Sequence, residues 1–278
     1  MTFSIVARSA DGTQWGVAVA SKFLAAGAVV PAARAGVGAV ATQSFVNLRY
    51  LPDGLALLAD GVSAPDVVAR LTDPDELREQ RQVGVVDAEG GGAAFTGAEC
   101  IPWAGSASGP DYTAQGNCLT GPEVVQAMER AFLASGDTEQ LSHRLLAALR
   151  AGDAAGGDRR GRQSAALLVV QEGGGYGGGS DVLVDLRADD HTAPIDELVR
   201  LLALHELYFG KPDPADLQPL IGDLAGEVDL LLTGLGYSGD LPLDERLFDW
   251  MGWENYEERH VPGHIDVVVL LKLREAAT

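Results

Sequence analysis

The sequence predicts an α+β protein in four layers, an αββα sandwich of two antiparallel sheets with helices outside, followed by a small all-α C-terminal module. Three observations carry this. An Asp-Gly pair joins the first two apolar runs tightly, which leaves no room for the crossover a parallel sheet requires. Patterns of period 2 and period 3.6 then alternate in groups: strands, two helices, strands, two helices, two strands, one helix. Strands as rich in Gly and Ala as residues 36–43 suit a sheet packed closely on both faces.

The elements follow in order. Residues 2–9 and 14–22 flank Ala10-Asp11-Gly12-Thr13 as a hairpin, and 36–43 form a third strand. Leu55, Leu58 and Ala59 start a helical stripe. Ser63-Ala64-Pro65-Asp66 then reads as a helix start, with an N-cap serine, a proline in the first turn and an early acid. Strands return at 82–87 and 92–96, and Gly116-Asn117 ends another. Apolar positions in register predict helices over 122–134 and 138–150. Strands at 164–171 and 181–187 flank a glycine-rich tip at 173–179. A helix over 194–209 closes the unit, with His205 expected as a core histidine on its apolar stripe. After the break Gly210-Lys211-Pro212-Asp213-Pro214, helices are expected at 215–232, 244–251 and 265–274. The predicted domains are thus 1–210 and 213–278.

Charge narrows the function classes. The 278 residues carry a net charge of −20, divided as −6 over residues 1–180 and −14 over the remainder. Such a surface repels phosphate backbones and anionic lipid, so neither nucleic acid nor membrane is an expected partner. Residues 1–20 lack a positively charged start before an apolar core, and no apolar run approaches the roughly 18 residues of a membrane span. The expectation is a cytoplasmic protein, with homo-oligomerisation open. Cys100 and Cys118 have neither metal nor disulfide spacing and read as buried thiols.

Several residues have chemistry to offer. Thr2, freed of Met1, would combine a hydroxyl nucleophile with an α-amine of pKa about 8, its own base. The alternative is a β-branched strand starter. Asn117 beside Gly116 is either an oxyanion donor or a turn residue. In the run 155–165, Asp158, Gln163 and Ser164 either line a cleft or belong to a solvated loop. Lys22 is the sole lysine of the first 210 residues. With Ser21 it ends the strand that pairs with residue 2, where a cation would keep an amine unprotonated. Gln43, Ser44 and Asn47 line the same cleft or begin a loop. Asp189-Asp190-His191 lacks further ligands at metal spacing, and 173–179 lacks the lysine of a phosphate loop. No metal or cofactor is expected.

Five blocks in order, Thr2 to Arg8, Gly16 to Phe23, Gly38 to Gln43, Arg81 to Asp87 and Ala155 to Ala165, resemble a bacterial family of unknown function, DUF1028. That family is grouped with N-terminal nucleophile hydrolases, which share an αββα sandwich and cleave amide bonds. The resemblance implies Thr2 as nucleophile, its amine as base and Asn117 as oxyanion donor, although the Gly-Asn order inverts the usual pair. Lys22 and Asp158 would tune or orient the amine, and Ser21, Gln43, Asn47, Gln163 and Ser164 would bind substrate. Residues from 213 onward, through Gly234 to Tyr237 and Trp250 to Asn255, resemble a peptidoglycan-binding module. A cytoplasmic muropeptide or an unrelated small amide would reconcile wall recognition with the missing export signal. The expected activity is an N-terminal nucleophile amidohydrolase; the alternative is a non-catalytic ligand-binding protein on the same fold.

Overall fold

The structure, a computed structural model, describes residues 2–137 and 139–278. It divides into two compact units, one up to Arg200 and the other Leu201–Thr278.

The first unit contains β1 (Thr2–Arg8), β2 (Gln14–Ser21), β3 (Pro31–Arg34), β4 (Gly38–Ser44), β5 (Arg81–Asp87), β6 (Gly92–Thr96), β7 (Gly105–Gly109), β8 (Tyr112–Asn117), β9 (Ser164–Gln171) and β10 (Val182–Ala188). Its helices are α1 (Tyr50–Ala59), α2 (Ala64–Thr72), α3 (Glu123–Ala134), α4 (Leu141–Ala154) and the start of α5 (Pro194–Phe209), within which the division between units falls. One sheet runs β10-β9-β2-β1-β8-β7 and the other β3-β4-β5-β6, and all pairings are antiparallel.

The Asp-Gly hairpin forms as its chemistry requires. Asp11 Oδ1 accepts the Thr13 N–H and the Ser9 and Thr13 hydroxyls, while Gly12 takes φ +72°. Strand alternation then sorts the side chains. Val6, Val17, Val19, Ala39, Ala41 and Val86 meet between the two sheets. On the far side of the four-stranded sheet, Val40, Val83 and Val85 pack on Tyr50, Leu58 and Val67 of α1 and α2. Helices α3 and α4 cover β1, β2 and β8 of the larger sheet. Each valine or leucine buried this fully contributes about 1.5–3 kcal/mol.

Two strands were not foreseen. β3 opens on a proline and β7 reads Gly-Ser-Ala-Ser-Gly, so neither has strand composition. Both lie at sheet edges, where a missing N–H or a weak propensity is tolerated. α1 starts at Tyr50, ahead of the expected stripe, and carries Pro52 in its first turn, where no N–H is needed. The helix expected from 138 begins at Leu141, and Thr138 itself lies outside the described residues. His205 is half-buried rather than a core residue and meets the Phe209 ring at a tilt, with centroids 5.1 Å apart. Cys100 and Cys118 are buried thiols.

The second unit is helical, with α6 (Gly222–Gly234), α7 (Leu243–Trp253) and α8 (Val267–Ala276). It is not all-α: a two-stranded ribbon of β11 (Leu217–Pro219) and β12 (His264–Asp266) replaces the start of the expected first helix, because Pro219 lies where an α-helix would need an N–H. Val228, Leu232, Leu247, Trp250, Met251 and Leu273 form its core. Asp266, 2% exposed, caps α8 through the Val268 N–H and pairs with Arg259. Among the described residues no helix is long and apolar enough to cross a membrane.

Candidate functional site

Pairing in the larger sheet sets Thr2 opposite Ser21 on one side and Asn117 on the other. Three residues separated widely in sequence thus meet at one strand end, and the Thr2 and Ser21 hydroxyls lie 3.0 Å apart. Alternation turns Thr2 and Ser4 of β1, Gln115 and Asn117 of β8, Gln43 of β4 and Gln82 of β5 toward the space between the sheets. All six are at most 5% exposed. Buried polar groups at this density must satisfy one another.

They do so through one directed network. Gln82 Nε2 donates to the Gly116 carbonyl at 2.8 Å and to Thr96 Oγ1 at 2.9 Å. A backbone carbonyl can only accept, so the Gln82 amide has one possible orientation, with its oxygen toward Asn117 and Gln43. Asn117 Nδ2 therefore donates to Gln82 Oε1 at 3.0 Å, and Gln43 Nε2 donates to the same oxygen at 2.7 Å. Gln43 Nε2 also reaches the Thr2 carbonyl at 3.3 Å, and Gln43 Oε1 accepts from Ser4 Oγ at 2.7 Å. Gln115 Nε2 completes the chain by donating to Ser4 Oγ at 2.7 Å. Asn117 thus presents N–H groups, the polarity an oxyanion donor requires, because the neighbouring Gly116 carbonyl dictates it by way of Gln82 on the other sheet.

Asp158 stands at the rim of this strand end, 6% exposed. Its carboxylate accepts the Lys22 backbone N–H at 2.9 Å, the Arg160 N–H at 2.9 Å and the Arg160 guanidinium at 3.1 Å. Lys22 is therefore held by its backbone while its side chain is exposed. The Gln163 N–H donates to the Ser21 carbonyl at 3.1 Å, and its side chain reaches Asp190 instead of Thr2. Ser164 is fully buried and engaged with the Phe23 carbonyl and the Ala26 N–H, so it anchors the turn after β2. Asn47 is not brought to the cluster. It donates to Asp75, which also binds Tyr50 and Arg81. Arg81 precedes inward-facing Gln82 and so faces the helices, which puts Asn47 on the opposite side of the sheet. Burial pushes Asp75 up, but hydrogen bonds from Arg81, Asn47, the Leu77 N–H and Tyr50 hold its carboxyl well below the usual range.

A cavity of about 10 Å³, room for one water, is lined by Phe3, Ser21, Asp158 and Ser164. A groove of about 250 Å³ continues from it past Asp158, Gly161, Arg162 and Thr192. Neither is lined by Thr2, which is 5% exposed. Gln82, Ser4 and Gln115 escaped the sequence reading. Their signal was a polar residue at an inward position of an otherwise apolar strand.

Two antiparallel sheets closing on a buried amide network, followed by a small helical unit, define a mixed α/β domain with a C-terminal appendage. The chain belongs to the family described as "Family of unknown function (DUF1028)", whose model matches residues 2–198. Residues 208–273 match the model described as "Putative peptidoglycan binding domain". A DUF1028 protein from Silicibacter pomeroyi, known from its crystal structure, is 32% identical to it with a TM-score of 0.67. The likeness covers 81% of this chain and 88% of that one. No curated protein matches the chain.

Proposed function

We propose that the first unit is an N-terminal nucleophile hydrolase on a four-layer αββα sandwich, acting on a small amide once Met1 has been removed. The observation that carries this reading is the meeting of Thr2, Ser21 and Asn117 at one strand end, with Asn117 held as a donor. The Thr2 amine takes the proton from Oγ, which attacks the substrate carbonyl. Asn117 Nδ2–H stabilises the oxyanion, and Ser21 orients the hydroxyl. Collapse breaks the C–N bond, the ammonium returns its proton to the leaving amine, and water then hydrolyses the Thr2 ester. Asp158 orders the rim, and Lys22 acts at a distance through its charge.

The second reading is ligand binding without catalysis. The burial of Thr2 favours it, since neither cavity reaches the hydroxyl. Mass spectrometry of the folded protein decides between the two. Loss of Met1, together with covalent capture of Thr2 by a β-lactone probe, is the expected result. Retention of Met1 in folded protein sinks the enzyme.

The helical unit, in this reading, holds a cell-wall-type ligand such as a muropeptide. Trp253 at the end of α7 is 77% exposed, an indole face open to stack on a sugar ring. Co-sedimentation with insoluble peptidoglycan should be lost in Trp253→Ala; unchanged co-sedimentation removes Trp253 from the ligand surface.

A further inference from the structure

Resting on the Thr2 reading, we propose that this site takes an amide whose acyl portion carries a carboxylate. The protein as a whole is strongly acidic, with a net charge of −20. The side of the Thr2 strand end formed by β2, β8 and β9 departs from that average. Lys22 follows Ser21 directly, and the Arg159 N–H donates to the Cys118 carbonyl, one residue past Asn117. Both side chains are exposed, and neither has an ion-pair partner among the described residues. Lys22 and Arg159 therefore flank the two residues that flank Thr2.

The nearby carboxylates do not cancel them. Asp158 is matched by Arg160, and Asp153 by Arg162. Asp189 and Asp190 lie beside the turn after β2, where the Ala25 N–H donates to the Asp189 carbonyl at 2.9 Å, yet among the described residues neither carboxylate forms an ion pair with Lys22 or Arg159. Asp190 also accepts from Gln163 Nε2 at 3.2 Å. On the other sheet, Glu79 is occupied by the Ala98 N–H and Arg78. Two uncompensated cations beside a candidate nucleophile, on a protein that otherwise repels anions, select a substrate bearing negative charge. Their exposure makes the selection sensitive to salt.

The test uses the processed full chain and two anilides of nearly equal size, succinyl-p-nitroanilide and uncharged butyryl-p-nitroanilide. Nitroaniline release should favour the succinyl compound about tenfold in kcat/KM, the combined contribution of two surface charge pairs. That preference should fall below about threefold in Lys22→Gln/Arg159→Gln, and in 0.5 M salt. Equal rates for the two anilides overturn the proposal and leave Thr2 catalysis standing. Should neither be cleaved, calorimetric binding of succinanilide against butyranilide to the same protein separates the claims. A succinanilide preference that the double variant abolishes upholds the charge selection and rejects the nucleophile. Equal binding, or none, overturns the selection.

Discussion

Gln82 should be the most consequential residue of the polar interior. Replacement by leucine keeps the approximate volume and removes both ends of the amide. Four hydrogen bonds of 3.0 Å or less disappear: those to Asn117, Gln43, Thr96 and the Gly116 carbonyl. Gln43 retains its bond to the Thr2 carbonyl, and Thr96 belongs to a half-buried edge strand where water can serve it. One group remains orphaned in the dry interior, the Asn117 side-chain N–H, while the Gly116 carbonyl loses a bond but lies within the ladder between β1 and β7. At about 1–3 kcal/mol for the orphaned donor and about 1 kcal/mol for the lost carbonyl bond, Gln82→Leu should cost about 2–4 kcal/mol. That is well inside the stability of a domain of this size, so the variant folds and can be measured. Urea unfolding should show the transition of the first unit moving to lower denaturant while that of the second stays in place. The specific check is a double-mutant cycle with Asn117→Ala. Removing the orphaned donor should recover about 1–2 kcal/mol, so the two costs should fall short of adding. A single-variant cost under about 1 kcal/mol, or additivity within about 0.5 kcal/mol, would refute the directed network.

Other consequences are as open to measurement. Gly84 stands opposite Gln115 across the sheets, where a Cβ would run into the amide carbon at 2.6 Å. Because that amide is committed to Ser4, Gly84→Ala should cost more than about 2 kcal/mol in calorimetry; a neutral effect would mean that the Gln115 side chain moves freely. Asp75 has a depressed pKa, so its stabilisation is complete above the unfolded value of about 3.9 and is lost as the pH falls toward its folded value. Asp75→Asn should therefore flatten the acid limb of the stability curve below about pH 4, and an unchanged limb would exclude the Asp75–Arg81 pair as its source. In the second unit, Asp266→Ala removes a helix cap and leaves Arg259 without its partner in the interior, which should cost about 3–5 kcal/mol. Only the transition of that unit should shift; a shift in the first unit's transition would contradict the division at Arg200.

Much of the strand and helix order was legible because each element has a local cause. The hairpin follows from Asp11 and Gly12, α2 from Ser63 and Pro65, and the α3 and α4 stripes from leucine and valine spacing. β3 and β7 were illegible because edge strands in a small-residue sheet need no composition of their own. The ribbon of the second unit was missed for a different reason. It pairs residues nearly fifty apart, and Leu217 to Pro219 have no hydrophobic period of their own. Among the site residues, Thr2, Ser21 and Asn117 were recognised by type and placed together by register. Asn47 was assigned to the cleft by proximity in sequence, but strand alternation sends it to the other face of its sheet, whereas Ser164 stays opposite Ser21, held by the Phe23 carbonyl and the Ala26 N–H.

By itself, then, the sequence determined the local elements, the acidic balance and a threonine at the start of the first strand, since these depend on neighbours a few residues apart. Only the tertiary structure decided which buried amides meet and which way each points. Gln82 and Asn117 lie thirty-five residues apart on different sheets. The orientation of both descends from the Gly116 carbonyl, whose position exists only once the sheets have closed on each other.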